Sequence, residues 1–196
     1  MPIDLNRFTS IFNNVPPARE SDYEIIISGP TGIGDPDLTY RADSVQLPGR
    51  SIATTEQVYI GPQRKVAYAA LYLETTITFI ESDDYRVKEY FDRWLDKVVG
   101  THRINRTVSD GSRFRSGYYD DYIGTIDIYN LRRTGAKGYN TKLIEAYPIQ
   151  VAPVSLSWAS DAIPRINVVF TYRYYEQNAT SSAMLTKLDS VGELED

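Results

Sequence analysis

Apolar positions in this chain of 196 residues recur at two spacings. Within Ser82–Gly100, Val87, Tyr90, Phe91, Trp94, Leu95 and Val98 fall at i, i+3, i+4 and i+7, which sets them on one face of a helix. Arg86, Lys88, Glu89, Asp92, Arg93, Asp96 and Lys97 fill the other face. The spacing predicts a single helix over 83–99. Ser82 is placed to cap its first turn, and Asp83 and Asp84 sit where the helix dipole favours negative charge. Lys97 has the favourable sign at the far end, and Gly100 suits the position just past it. Elsewhere the period is two. Tyr23–Ser28, Leu38–Val45, Leu73–Ile80, most of Tyr118–Asn130, Lys142–Tyr147, Val154–Ala159 and Arg165–Glu176 read as strands. Pro148 and Pro153 are expected to break them, and Asp161 and Pro164 to mark a hairpin turn. A lone amphipathic helix must bury its aromatic face, and the rest of the chain offers only sheet. The fold class is therefore mainly β, an antiparallel β-sandwich or barrel with one packed α-helix.

Three regions follow. Residues 1–20 read as an N-terminal arm, with Leu5, Phe8, Ile11 and Phe12 on one side of a short turn that Pro16-Pro17 stops. Residues 21–176 form the β domain, and 177–196 a polar, acidic tail. Inside the domain, 46–70 is long, polar and punctuated by Pro48, Gly49, Gly61 and Pro62. Weak strands are expected near Gln57–Ile60 and Lys65–Tyr68. Its apolar residues, Ile52, Val58, Ile60 and Val66, are too scattered for a core of their own, so the segment reads as an assembly element.

Composition narrows the function. Cysteine is absent, which removes disulfide frameworks and thiolate metal sites. No apolar run approaches the ~20 residues that span a bilayer, and no signal-peptide pattern opens the chain. A net charge of −5 argues against general nucleic-acid binding through the whole surface and leaves room for a protein that DNA passes without sticking. Sixteen tyrosines against six phenylalanines suit half-buried strands and interfaces.

Candidate chemistry is sparse. The loop GPTGIGDPD (Gly29–Asp37) is rich in glycine, but Gly34 is followed by Asp35-Pro36 rather than by the Lys-Ser/Thr and helix of a phosphate loop. His102 stands alone in an arginine-rich loop, without the orienter and nucleophile of a catalytic triad. Asp83-Asp84 and Asp120-Asp121 are adjacent pairs whose side chains diverge, so they do not converge on a metal. Arg103, Arg106, Arg113 and Arg115 suit phosphate contacts or pairing with an acidic surface; the scarcity of interleaved aromatics favours the latter. No cofactor, metal site or enzymatic activity is expected.

The order of these pieces resembles one family. ADSVQLPGR (Ala42–Arg50) ends a strand and leads into a long polar hairpin. LYLETTITFIESDDYRVKEYFDRWLDKVV (Leu71–Val99) joins strand to helix, YIGTIDIYNL (Tyr122–Leu131) follows, and VSLSWASDAIPRINVVFTYRYYE (Val154–Glu176) closes the domain. Over about residues 20–176 the chain is similar to the tail tube proteins of contractile-tailed bacteriophages. The loops at 29–37 and 101–117 and the C-terminal tail look longer than a minimal tube subunit needs. The resemblance implies homo-hexameric rings that stack into the inner tail tube, within a sheath and between baseplate and neck proteins. The tube would be assembled in the host cytoplasm, and DNA would pass through its lumen without specific binding. It places the 46–70 hairpin between stacked rings, with Val58, Tyr59 and Ile60 at the contact and Arg64 and Lys65 facing acids of the neighbouring ring. A tube initiator or terminator of the same fold is one alternative. A small-ligand-binding β-barrel with tyrosines lining a pocket is another.

Overall fold

The computed structural model describes residues 9, 10, 13, 17–33, 37–57, 63–100, 115–159 and 161–179. Along the chain run β1 (Tyr23–Ser28), α1 (Leu38–Arg41), β2 (Ala42–Val45), β3 (Arg50–Gln57), β4 (Arg64–Tyr72), β5 (Thr75–Ile80), α2 (Arg86–Val98), β6 (Val99–Gly100), β7 (Arg115–Ser116), α3 (Tyr119–Tyr122), β8 (Gly124–Leu131), β9 (Lys137–Val151), β10 (Arg165–Thr171) and β11 (Tyr174–Ala179). The main sheet has seven strands in the order β1-β8-β9-β10-β5-β2, with β11 also on β9. Every pairing in it is antiparallel. The small pairs β3-β4 and β6-β7 stand apart from it.

β9 is the spine. Its first half pairs with β8 and β11, and Tyr147–Val151 pairs with β10. Between the halves Glu145 takes φ 55, a left-handed conformation that side chains rarely adopt. The cost is offset by two contacts of its carboxylate. It accepts a hydrogen bond from the Tyr119 hydroxyl at 2.9 Å and pairs with Arg173 at 2.9 Å. The outer strands meet where the Tyr23 hydroxyl donates to the Ala42 carbonyl at 3.1 Å. The sheet is thereby curled round a single core of Ile25, Ile77, Phe79, Ile126, Ile128, Leu143, Ile166, Val168 and Phe170. These are the inward members of the alternating strands.

The helix closes this core as its periodicity predicts. Val87, Tyr90, Phe91 and Trp94 are buried, and Leu95 and Val98 are half-buried at the edge of the stripe. Phe91 lies 5.1 Å from Phe79 and 5.8 Å from Phe170 between ring centres, and Trp94 lies 6.2 Å from Phe170. The Trp94 indole N–H donates to the Tyr122 carbonyl at 2.7 Å. Gly124 makes room for that ring: a Cβ there would sit 2.4 Å from the Ser28 carbonyl oxygen and 3.1 Å from the indole.

Several expectations are corrected. The helix begins at Arg86, after Tyr85 in a left-handed turn, and Ser82 does not cap it. Its hydroxyl bonds Asp84 instead, at 2.6 Å. The cap is Glu81, whose buried carboxylate accepts from the N–H groups of Val87 and Lys88, both at 3.2 Å. Gly100 continues into β6 opposite Arg115 rather than ending the helix in a left-handed turn. Leu38–Arg41 is one helical turn, held by buried Leu38, before a strand that starts only at Ala42. Tyr119–Tyr122 is likewise a helical turn. Pro148 does not break β9, because it lies opposite Phe170 beside a bulge in β9 itself, where Ile149 is the extra residue and a missing N–H is tolerated. Val154–Ala159 forms no strand. The last predicted strand is two, split at Tyr172-Arg173, and β11 runs to Ala179, into the segment read as tail.

Glu81→Ala should lower stability by about 1–2 kcal/mol, the usual worth of a helix cap. Thermal unfolding followed by circular dichroism checks this. An unchanged midpoint would mean that water satisfies the two N–H groups.

Candidate assembly surfaces

Among the described residues β3 and β4 pair only with each other, from Arg50 opposite Tyr72 to Gln57 opposite Arg64, with a bulge at Ala53/Thr54. The weak strands expected at Gln57–Ile60 and Lys65–Tyr68 are thus a longer and earlier hairpin. All of β3 but Ala53 is exposed, and β4 is half-buried only at Val66, Ala69 and Tyr72. Ile52 and Tyr68 show 63% and 70% of their surface. The root is well anchored. The Tyr172 hydroxyl donates to the Leu73 carbonyl at 2.6 Å, and Tyr72 sits edge-on to Tyr175 at 5.5 Å. A two-stranded hairpin is marginal by itself in water, so this one has a firm base and an unpartnered shaft.

Of the residues expected at a ring contact, Val58, Tyr59 and Ile60 lie outside the described residues. Arg64 and Lys65 open β4 and are exposed, with the Lys65 ammonium 4.0 Å from Glu56 across the hairpin. Sequence reasoning missed a second exposed surface. Leu156, Trp158 and Ile163 project from the segment between β9 and β10, with Trp158 fully open to solvent. The alternation Val154-Ser155-Leu156-Ser157-Trp158 was the available cue, but it reads equally well as a core strand.

Among the described residues no constellation for catalysis comes together, and no three His, Cys, Asp or Glu side chains are grouped to hold a metal. His102, Arg103, Arg106 and Arg113 lie outside them. The Ser82 hydroxyl, and then Arg86, hold the Asp84 carboxyl below the usual range, so this acid is part of the helix entry. The concavities are open grooves, such as one of about 650 Å³ between Tyr23, Asp43, Val45 and Ile128. No helix among the described residues is long and apolar enough to cross a membrane. Six tyrosines gather in two edge-to-face groups, Tyr72/Tyr172/Tyr175 and Tyr119/Tyr122/Tyr147, and of these only Tyr172 belongs to the buried core, which is otherwise filled by aliphatic side chains, Phe79, Phe91, Phe170, Trp94 and Tyr90.

The second group borders the β9 bend. Desolvation, and then the hydrogen bond to Glu145, push the Tyr119 phenol up to about 12. Arg173, and then Tyr119, hold the Glu145 carboxyl below its usual value. The two signs differ. The Tyr119 contribution to stability is complete below the ordinary phenol pKa and is lost as pH rises through about 12. The Glu145 contribution is present above the ordinary carboxylate pKa and is lost as pH falls through the depressed one. Tyr119→Phe removes the donor, so the Glu145 carboxyl should titrate closer to its usual range. An NMR pH titration reads this directly, and an unshifted curve would show that Arg173 alone sets it.

The sequence matches the family model described as phage tail tube protein over residues 7–178. Among solved structures the chain is similar to one from the anti-feeding prophage cap (AFP tube terminating cap). The TM-score is 0.60 and the identity 11%, over 84% of this chain and 92% of that one. It is also similar to a chain of an extracellular contractile injection system, the PVC sheath-tube complex in the extended state. There the TM-score is 0.57 and the identity 12%, over 88% and 98% of the two chains. A chain of the AFP baseplate gives a TM-score of 0.58 and 12% identity, over 84% and 97%. At such identities the likeness is one of fold. No curated protein matches the sequence.

Proposed function

Because the chain belongs to the phage tail tube protein family, we propose that six copies close into a ring and that rings stack into the inner tube of a contractile tail, with the β3–β4 hairpin as the contact between rings. The observation that carries this is the hairpin itself. It is rooted by Tyr172 on Leu73, exposed over most of its length, and paired, among the described residues, with nothing but itself. Eight residues of β3 at about 3.4 Å each give it a reach of about 27 Å, enough to lie on a neighbouring subunit. The outer strands β1 and β2 each have one partner in the main sheet, and closing a ring covers such edges. A chain of net charge −5 suits a conduit that DNA crosses without being held. The expected partners are the sheath around the tube and the baseplate and neck proteins at its ends, with assembly in the host cytoplasm. The role is structural, not catalytic.

A tube initiator or terminator is the second reading. It is favoured by the likeness to the terminating-cap chain, which is as good as that to the sheath-tube chain. Native mass spectrometry of the purified protein tests the ring. Six chains per particle are expected. A monomer that binds an apolar probe would instead indicate a ligand-binding barrel and overturn the proposal.

A further inference from the structure

We propose that the segment Pro153–Pro164, between β9 and β10, is the seat on which the β3–β4 hairpin of a second copy docks. This rests on the stacking reading and supplies its receiving side. The two surfaces lie at opposite ends of the same strands. β5 starts at Thr75 beside the hairpin root and ends at Ile80. The next N–H, that of Glu81, donates to the Pro164 carbonyl at 3.0 Å. β10 runs the other way, from Arg165 next to the segment to Thr171, and then Tyr172 grips Leu73 at the root. A contact between opposite ends of identical copies is head-to-tail, and with the two ends along one strand axis it repeats as an open stack rather than closing into a ring.

The chemistry of the two ends is complementary. Val154-Ser155-Leu156-Ser157-Trp158 alternates as a half-buried strand does, yet the segment joins no sheet. Leu156 is 72% exposed and Trp158 109%, which leaves an aromatic anchor of the kind that dominates interfaces without a cover. The hairpin offers Ile52, Tyr68 and Leu71, also exposed. Its cations, Arg50, Arg64 and Lys65, outnumber its single acid, Glu56. At the seat, Asp83 and Asp161 are exposed and carry no ion pair among the described residues, whereas Asp84 is paired with Arg86 and Arg165 with Asp43. Positive hairpin and acidic seat fix the register as well as the attraction.

Two experiments test the seat. Trp158→Ser removes an exposed side chain, so rings should form and the melting midpoint should move by less than about 2 °C, while tubes are lost. The chain has no cysteine, so tubes built from a Gln57→Cys, Ser157→Cys variant carry thiols only at the hairpin and the seat. A short bis-maleimide should join them into a ladder of chains. Trp158→Ser tubes as long as those of the unaltered protein, or cysteine-variant tubes that give no ladder, would overturn the seat and leave stacking intact. Rings of the unaltered protein that never form tubes would remove both.

Discussion

Trp94→Ala should destabilise the subunit by about 3–5 kcal/mol, the usual cost of emptying a large aromatic site in a core. Trp94 is fully buried at the centre of the only long helix among the described residues. Its ring packs against Phe170 and Tyr90, and its indole N–H is the donor that holds the Tyr122 carbonyl. Removing it opens a cavity and leaves that carbonyl without its protein donor. Gly124 approaches the indole closely and has no side chain to fill the gap. Since a subunit of this size is stable by only about 5–15 kcal/mol, such a loss reduces the yield of folded subunits before assembly begins. Chemical denaturation checks it, and a loss below about 1 kcal/mol would mean that the site collapses around the missing ring.

The second large effect concerns assembly and leaves the fold alone. Ile52 faces Ala70 and Ser51 faces Leu71 in the hairpin register. Excising 52–70 and joining Ser51 to Leu71 through Gly-Ser removes the shaft and keeps the root. Tyr72, Leu73, Tyr172 and Tyr175 all remain. The seven-stranded sheet uses no residue of the excised stretch, so cooperative unfolding should persist near the original midpoint. Rings should still close, and tubes should be absent. Normal tubes would show that the hairpin is dispensable for stacking. An unfolded subunit would show that it belongs to the core.

The helix and the central strands were legible because burial on one face leaves a period. Val87, Phe91 and Trp94, and Ile77 with Phe79, reveal themselves at spacings of 3.6 and 2. What stayed hidden depends on contacts distant in sequence. Nothing around Glu81 announces that its carboxylate, not the Ser82 hydroxyl, meets the first helical N–H groups. Pro148 breaks a strand unless a bulge excuses it, and the bulge beside it, at Ile149, arises only from the pairing with Val169 and Phe170, more than twenty residues away. Glu145 bends β9 by virtue of Arg173 and Tyr119, neither of them near it in sequence. The hairpin was legible as an oddity, long, polar and without a core, although its strands were placed too near its tip. The Trp158 segment shows the opposite failure. Its alternation is genuine, but no strand among the described residues pairs with it, so it read as core and proved to be surface.

Electron cryo-microscopy of particles assembled from the full chain tests the central claim most directly. The expected image is a tube of stacked six-subunit rings in which the Arg50–Tyr72 hairpin of each subunit lies on the adjoining ring. Tubes whose hairpins stay against their own ring, or a preparation that holds only monomers, would contradict it.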